Sequence, residues 1–411
     1  MVAPGVVGFI KASLFFFISN DPWNGESIHN NNNYQQEENA QKLRPLNVAL
    51  IGAGIFATAT HAPHLKNSKY FHCSAVFSRN YENAANLATK LGAAPCIDLK
   101  QIWNSPNIEG VILAVPVDVQ PQLILQAWQA GKHVLSEKPL AESMSKATSL
   151  VDTYESKILP SQKPLVWSVA GSFRYKQAVH FTKHAMQDIG NPFFVNLQIR
   201  TPFLKPGEST EAMWRNNPQW YGGMIVEAFV HASSMLRSLF GQPLSVVAHT
   251  SSRAEHIPSI DTMTAQIAWN ENIQGSIGLT FASVTHMFEL EVMGDNGRLV
   301  LSRKPDGHPG YTLEVETSSP SQKYVNDIPF GDMEEEMIAF WEAVNQYNID
   351  PTGPREACKD FALVEACLES GKSNGSKVLL NKASMMKTST RENAFINHPL
   401  GPSENTIYTN T

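Results

Sequence analysis

The stretch that decides the fold is Val48-Ala49-Leu50-Ile51-Gly52-Ala53-Gly54-Ile55-Phe56-Ala57. Its apolar start predicts a buried strand, and its small residues predict a tight turn into a helix. Gly52 permits the turn, Gly54 lets a pyrophosphate approach the backbone, and Ala57 lets the helix pack on the strand. The helix N-terminus then offers free N–H groups to phosphate. The predicted dinucleotide-binding residues here are Gly52, Gly54, Ile55, Phe56 and Ala57, the alternative being an ordinary turn rich in small residues.

Short apolar segments alternate with helical patterns over the first half of the folded chain. They predict strands at residues 48–51, 75–77, 110–114, 133–135 and 165–169. The segment 110–114 is apolar without alternation, as expected for a parallel strand that helices cover on both faces. This alternation of strands and helices predicts an α/β architecture, with a Rossmann dinucleotide-binding domain at residues 45–171.

After residue 172 the pattern changes to strands separated by turns, including 245–250, 263–269, 273–281 and 288–293. In the last of these, apolar residues alternate with Glu289 and Glu291, which is typical of a sheet with one wet face. We expect an α+β domain at residues 172–380 that carries a large, mostly antiparallel open sheet. Helices at 332–345 and 355–370 follow, with Pro354 and Gly371 as the start and stop signals of the second.

The two ends of the chain have compositions that do not predict a packed core. Residues 1–44 are expected to be a disordered leader, and residues 381–411 a flexible tail. The apolar run at residues 6–19 is interrupted by Lys11 and is too short to span a bilayer. Whether this run is a targeting signal stays open.

The composition narrows the class of partner. The formal net charge is -6, and the basic residues are scattered rather than gathered into a stripe, which argues against nucleic acid. A small-molecule substrate is therefore expected, with no membrane partner. The cysteines have no metal-binding spacing and lie in apolar runs, which indicates buried, reduced thiols and a cytoplasmic protein.

The end of the second predicted strand bears on the choice of cofactor. Ser78 and Arg79 stand where an Asp or Glu would accept the ribose 2′-hydroxyl of NAD. A guanidinium there can neutralise a 2′-phosphate, so we predict NADP rather than NAD. A surface arginine with no ligand is the alternative.

The segment Leu135-Ser136-Glu137-Lys138-Pro139-Leu140-Ala141 follows the strand predicted at 133–135. It therefore lies at the carboxyl edge of the sheet, where ligands bind. The Lys138 ammonium can stabilise a substrate oxygen during hydride transfer, while Glu137 can orient that amine or the cofactor ribose. A surface Glu-Lys pair at a helix start is the alternative.

Three stretches together resemble the GFO/IDH/MocA family of oxidoreductases, and in particular a fungal-type, NADP-dependent member. They are residues 48–54, Ala114-Val115-Pro116, and Ala130-Gly131-Lys132-His133-Val134-Leu135-Ser136-Glu137-Lys138-Pro139. The resemblance implies that Lys138 is catalytic, that the bond before Pro139 is cis, and that Ala114, Val115 and Pro116 border the nicotinamide. It also implies self-association, as a homodimer or homotetramer, through the open sheet of the second domain.

The same family usually carries a Gly-Gly pair, then Asp, then His four positions later. Here the stretch is Gly222-Gly223-Met224-Ile225-Val226-Glu227-Ala228-Phe229-Val230-His231. The four-residue spacing puts Glu227 and His231 on one helix face, where His231 can exchange a proton and Glu227 can orient it. A structural Glu-His pair fits the spacing equally well. Glu227 in place of Asp, and Phe229 where Gly is common, imply a bulkier pocket.

Two further positions were compared with the family. Gln120 stands where many members have His, and no role is assigned to it. Arg174 matches an arginine that often lines the substrate cleft, so it is a candidate substrate contact, with a salt bridge at the domain junction as the alternative.

The residues and the resemblance predict an NAD(P)-dependent dehydrogenase or reductase that acts on CH–OH groups of a sugar, polyol or related small compound. Lys138, His231 and Glu227 would be its catalytic residues, and no metal is expected. One alternative is a dinucleotide-binding sensor or transcriptional regulator on the same fold. Another is a hydrolase that uses tightly held NAD, which the missing acid near Ser78 disfavours.

Overall fold

A computed structural model of the protein describes residues 44–202, 223–255, 257, 259–304, 308–330, 333–345, 350 and 352–380. These residues form two sheets with helices packed on them. The predicted leader, apart from Arg44, and the predicted tail lie outside this range. The sheets fall within the two predicted domains, and the boundary at residue 171 stays a prediction.

The first sheet is parallel throughout. Its strands are β1 (Leu46–Ile51), β2 (Phe71–Phe77), β3 (Ala94–Cys96), β4 (Gly110–Leu113), β5 (His133–Ser136) and β6 (Trp167–Val169). They lie in the order β3-β2-β1-β4-β5-β6, so the chain reverses direction across the sheet next to β1. Strand β4 is buried along its whole length, which confirms the double coverage expected of its unbroken apolar run. The carboxyl ends of β1, β4 and β5 therefore meet at one edge.

Helices connect these strands and cover both faces of the sheet. They are α1 (Ala62–Lys66), α2 (Tyr81–Leu91), α3 (Leu99–Trp103), α4 (Gln120–Gln129) and α5 (Met144–Thr153). A π-helical turn, Ala57–His61, leads into α1. Such a turn holds one more residue than an α-helical turn and so changes which side chains face the sheet.

Gly52 is required by close contact as well as by its backbone angle. Its φ is +115°, in the region that L side chains rarely adopt, and an added Cβ would lie 2.1 Å from the Ala114 carbonyl oxygen. The turn after β1 therefore packs directly on the turn after β4.

Within the described residues, the second sheet contains nine strands. They are β7 (Pro192–Pro202), β8 (Ser245–Ser251), β9 (Thr262–Ala268), β10 (Gln274–Thr280), β11 (Ala282–Gly294), β12 (Gly297–Arg303), β13 (Tyr311–Ser318), β14 (Ser321–Ile328) and β15 (Val378–Leu379). The order is β14-β13-β12-β11-β7-β10-β9-β8-β15, and among these described strands only β7 and β10 pair in parallel. Phe288, Leu290 and Val292 on β11 are buried while Glu289 and Glu291 are partly exposed, which confirms the predicted alternation.

Several of these strands were not among those predicted, the central β7 included. Val195, Leu197 and Ile199 alternate there as buried residues. In the sequence, a proline at each end of this segment argues against a strand. In the structure each proline lies at a strand end, where a missing N–H costs little stability.

The remaining α-helices follow β6 in the chain. They are α6 (Gln177–Ala185), α7 (Gly223–Phe240), α8 (Glu334–Val344) and α9 (Pro354–Lys372). Helix α8 packs back on the first sheet, where Phe340 stacks on Phe71 with ring centroids 6.3 Å apart. Helix α9 packs between α7 and β8.

The predicted stop of α9 at Gly371 is wrong. The helix continues to Lys372, and the left-handed residues that follow it are Asn374 and Gly375. A Cβ at Gly371 would lie 2.6 Å from the Thr250 Oγ1 atom. This glycine therefore allows close packing on β8 and does not end the helix.

Candidate active site

A cavity of about 790 Å³ lies at the carboxyl edge of the first sheet. Its walls come from the turns after β1, β2, β4 and β5, from α4, where Gln120 is one of the lining residues, and from the start of α7. They include every residue predicted to bind the cofactor: Gly52, Gly54, Ile55, Phe56, Ala57, Ser78, Arg79, Ala114, Val115, Pro116, Glu137 and Lys138. Glu227 also lines the cavity, whereas His231 and Arg174 do not.

One end of the cavity is formed by the glycine-rich turn. A Cβ at Gly54 would meet no atom of the described residues within 4 Å, so none of their groups occupies the space next to it. Ile55 beside it is 43% exposed. The backbone here is open to a ligand, which is the arrangement that a pyrophosphate requires.

The next part of the wall follows β2. Ser78 and Arg79 line it together with Asn80 and Asn83, and Asn80 caps α2 by accepting a hydrogen bond of 3.1 Å from the Asn83 N–H. The Arg79 side chain is exposed and forms no ion pair with a carboxylate of the described residues. The carboxylates in the cavity wall, Glu137 and Glu227, belong to its other end.

Lys138 projects from the loop after β5, and the peptide bond between Lys138 and Pro139 is cis, as the resemblance implied. Its Nζ donates a hydrogen bond of 3.3 Å to the Glu227 carbonyl oxygen and lies 4.0 Å from Glu227 Oε1. The lysine side chain is only 12% exposed. The structure thus anchors a largely buried cation between the first sheet and α7.

His231 lies one helical turn after Glu227 on α7 and is buried. Its ring is tilted against Phe173, with centroids 5.3 Å apart, and it lines a small cavity of about 20 Å³ together with Lys138. Burial, and then the positive charges of Lys138 and Lys176, hold the pKa of His231 well below its ordinary value. The imidazole is therefore neutral at pH 7 and able to accept a proton.

Glu137 has a partner that the sequence analysis did not identify. The fully buried His61, at the end of the π-helical turn, lies with its Nε2 2.8 Å from Glu137 Oε1. The Lys138 backbone N–H also approaches Glu137 Oε2, at 3.3 Å. The position of His61 in the glycine-rich helix is visible in the sequence, but the π-helical turn that aims it at Glu137 has no sequence signal.

Glu336 is a second residue that the sequence analysis missed. It lies on α8, only 1% exposed, and its pKa is well above the ordinary value. Burial is the main cause, followed by the negative charges of Glu137 and Asp350. Burial therefore favours the neutral form of this carboxyl group, which interacts electrostatically with Glu137 and Lys138 of the lysine loop.

Arg174 lies outside the cavity wall. Its guanidinium pairs with Asp360 at 2.6 Å and donates to Ser238 Oγ at 3.1 Å. Asp360 also binds Arg237 on α7. These contacts match the alternative given for Arg174, a salt bridge. Its substrate role stays a prediction, and these contacts do not support it.

The described residues contain neither a candidate metal site nor a helix that could span a membrane. No group of three or more His, Cys, Asp or Glu side chains there could hold a metal ion. None of the helices in those ranges has the length and apolar character needed to cross a membrane.

Comparison with known proteins gives matches along most of the chain. Residues 46–160 match the model of an oxidoreductase family with an NAD-binding Rossmann fold, and residues 185–380 match its C-terminal alpha/beta domain. The dehydrogenase FPY6 of Fusarium mangiferae is 30% identical over 357 residues, which are 81% of this chain and 98% of that protein.

A more distant relative has a named substrate. The scyllo-inositol 2-dehydrogenase (NADP(+)) IolW of Bacillus subtilis is 23% identical over 54% of this chain and 59% of its own length. An oxidoreductase from Thermotoga maritima has a similar fold, with a TM-score of 0.73 at 24% identity over 83% of this chain and all of that one. The matches to both family models, over the two sheets described above, show that this chain belongs to the GFO/IDH/MocA oxidoreductase family.

Proposed function

We propose that the protein is an NADP-dependent dehydrogenase or reductase that acts on the CH–OH or carbonyl group of a sugar, polyol or related small compound. The observation that carries this proposal is the Lys138 ammonium, anchored to Glu227 at the edge of a cavity that fits a dinucleotide. When bound there, the nicotinamide supplies or accepts the hydride.

The residues present fit such a cofactor. The open space at Gly54 suits a pyrophosphate, because no atom of the described residues lies within 4 Å of the position that a Cβ would take there. The turn Ala114, Val115 and Pro116 lines the cavity close to Lys138, where the nicotinamide ring is expected. Arg79 supports NADP over NAD, since its guanidinium can pair with a 2′-phosphate. The relative IolW, whose name specifies NADP(+), is consistent with that choice.

The protein's own groups account for the movement of charge and proton. In alcohol oxidation the substrate C–H bond breaks with its electron pair leaving as hydride, and the O–H proton must leave the oxygen. Lys138 would donate a hydrogen bond to that oxygen and stabilise its developing negative charge. Lys138 and His231, which line the same small cavity, would share the proton transfer, and Glu227 would hold the lysine head in place. Carbonyl reduction reverses each step.

The proposal also covers the cellular compartment and the oligomeric state of the protein. The cysteines are free and buried, which supports a reducing compartment such as the cytoplasm. Association as a dimer or tetramer through the second sheet is also proposed, and light scattering of the purified protein would measure it.

The deciding experiment is a fluorescence titration with NADPH and NADH, followed by absorbance assays with a panel of sugars, polyols and aldehydes. We expect tighter binding of NADPH, and turnover with at least one polyhydroxylated compound. Dinucleotide binding without any turnover would contradict the proposal and favour a sensor. Failure to bind either dinucleotide would contradict both.

A further inference from the structure

Gln120 is the first residue of α4 and is only 1% exposed. Its Nε2 donates to the carbonyl oxygens of Glu137 at 2.7 Å and Pro139 at 2.9 Å, with the Leu140 carbonyl oxygen farther away at 3.4 Å. An amide nitrogen has two hydrogens, so the two shorter contacts use both. Carbonyl groups only accept hydrogen bonds, which fixes the nitrogen of this amide towards the loop.

The two carbonyl groups lie on either side of Lys138 in the chain. Gln120 therefore fixes the backbone immediately before and after the residue whose amine contacts Glu227. Helix α4 also follows the Ala114 to Pro116 turn, so the amide ties the lysine loop to the segment that borders the nicotinamide position. A buried side chain with both donors in use is held in one orientation.

We propose that Gln120 is a positioning residue, which holds the Lys138 loop so that the lysine amine meets the reacting oxygen. The inference rests on the proposed catalytic role of Lys138. It assigns Gln120 no contact with the substrate: loss of its two donors acts through Lys138, leaving the phosphate and ribose parts of the cavity as they are.

The test compares four variants of the full chain. Gln120→Leu keeps the approximate size of the side chain but removes both hydrogen-bond donors. Gln120→Glu keeps the shape but places a carboxylate, which cannot donate, opposite the two carbonyl oxygens. Gln120→His restores one N–H donor. Gln129→Leu makes the same change at the exposed end of the same helix and is the matched control.

Two measurements are made on each variant that circular dichroism shows to be folded. The first is kcat and KM with the panel substrate that the wild type turns over, beside the Kd for NADPH. The second is the rate at which acetic anhydride labels Lys138, read by peptide mass spectrometry. We expect the Leu and Glu variants to lose about tenfold or more in kcat, equivalent to about 1.4 kcal/mol in the barrier, with KM and the NADPH Kd within about twofold. Lys138 labelling should rise, the His variant should be intermediate, and the control should match the wild type.

The outcomes separate this inference from the proposed function. If kcat is unchanged in the folded Leu and Glu variants, the positioning role is wrong. It is also wrong if a fall in NADPH affinity accounts for the whole loss of activity. If the wild type turns over no substrate, the proposed function fails, and the labelling rates still decide whether Gln120 controls the placement of Lys138: equal rates in all variants reject it.

Discussion

The two ends of the large cavity hold their polar groups in different ways. At the glycine-rich end the groups offered to a ligand are backbone N–H groups and the exposed Arg79, and the space before Gly54 is open. At the lysine end each polar side chain is tied to another part of the chain. Lys138 is bound to Glu227 on α7, and Glu137 to His61 on the π-helical turn.

The proposed function explains this difference. A phosphate group can be bound by backbone and a mobile guanidinium, because charge and room are sufficient. A reacting oxygen must meet a cation and a base within narrow limits of distance and angle, so those groups need supports. Substitutions at the lysine end should therefore reduce turnover, and substitutions at the glycine-rich end should reduce binding.

The largest effect is expected at Lys138. Lys138→Met should lower kcat by about 100-fold to 1000-fold, the usual loss when a group that stabilises charge at the reacting oxygen is removed. The NADPH Kd should change little. Stopped-flow and steady-state absorbance measure both quantities, and Lys90→Met, at an exposed position on α2, is the control. Retained turnover in Lys138→Met would remove the basis for the proposed chemistry.

His231 should have the next largest effect, together with a change in pH dependence. The neutral imidazole is the active form, so alcohol oxidation should be lost as pH falls through the lowered pKa of His231, with a midpoint below the ordinary value of 6.5. His231→Asn should reduce kcat by about 100-fold and abolish this acidic limb. A pH profile of kcat/KM tests it, with the exposed His72→Asn as the control. An acidic limb that survives in His231→Asn would assign the titration to another group.

A smaller effect, on binding alone, is expected at the ribose part of the cavity. Arg79→Gln should weaken NADPH binding by about tenfold or more, because a charge-assisted hydrogen bond to phosphate is worth about 1.5–3 kcal/mol. NADH binding should stay the same, since it has no 2′-phosphate. Fluorescence titration gives both constants, and Arg253→Gln, on an exposed residue far along the chain, is the control. Equal losses for the two cofactors would contradict the NADP assignment.

The smallest effect is on stability. The pKa of Glu336 is raised in the folded protein. Between its unfolded pKa, near 4.5, and its raised pKa, the carboxyl group ionises in the unfolded chain and stays protonated in the folded one. The free energy of unfolding therefore falls as pH rises through this range. Glu336→Gln removes this penalty and should stabilise the protein by about 1 kcal/mol or more at pH 8, with little gain at pH 4. Thermal denaturation at the two pH values measures it, with the partly exposed Glu342→Gln as the control. A gain of equal size at both pH values would exclude ionisation as the cause.

Much of the site could be predicted because its residues lie close to sequence motifs. The residues predicted to bind the cofactor all follow parallel strands, and the carboxyl ends of such strands meet at one edge whatever the helices between them do. Residues that act across the fold were harder to predict. Gln120 was assigned no role, and nothing in the sequence links Glu336 to a lysine almost two hundred positions earlier. Arg174 binds Asp360 on α9, which is the salt-bridge alternative of its sequence analysis, and its substrate role stays a prediction.

The sequence by itself determined the first sheet, the glycine-rich turn and the place of Lys138 at its edge. These depend on local apolar patterns, on the backbone freedom of Gly52, and on the geometry common to parallel sheets. Only the tertiary structure decided what supports the lysine loop and which buried carboxyl group has a raised pKa. Those features depend on burial and on distances between residues that are remote in the chain, and local sequence specifies neither.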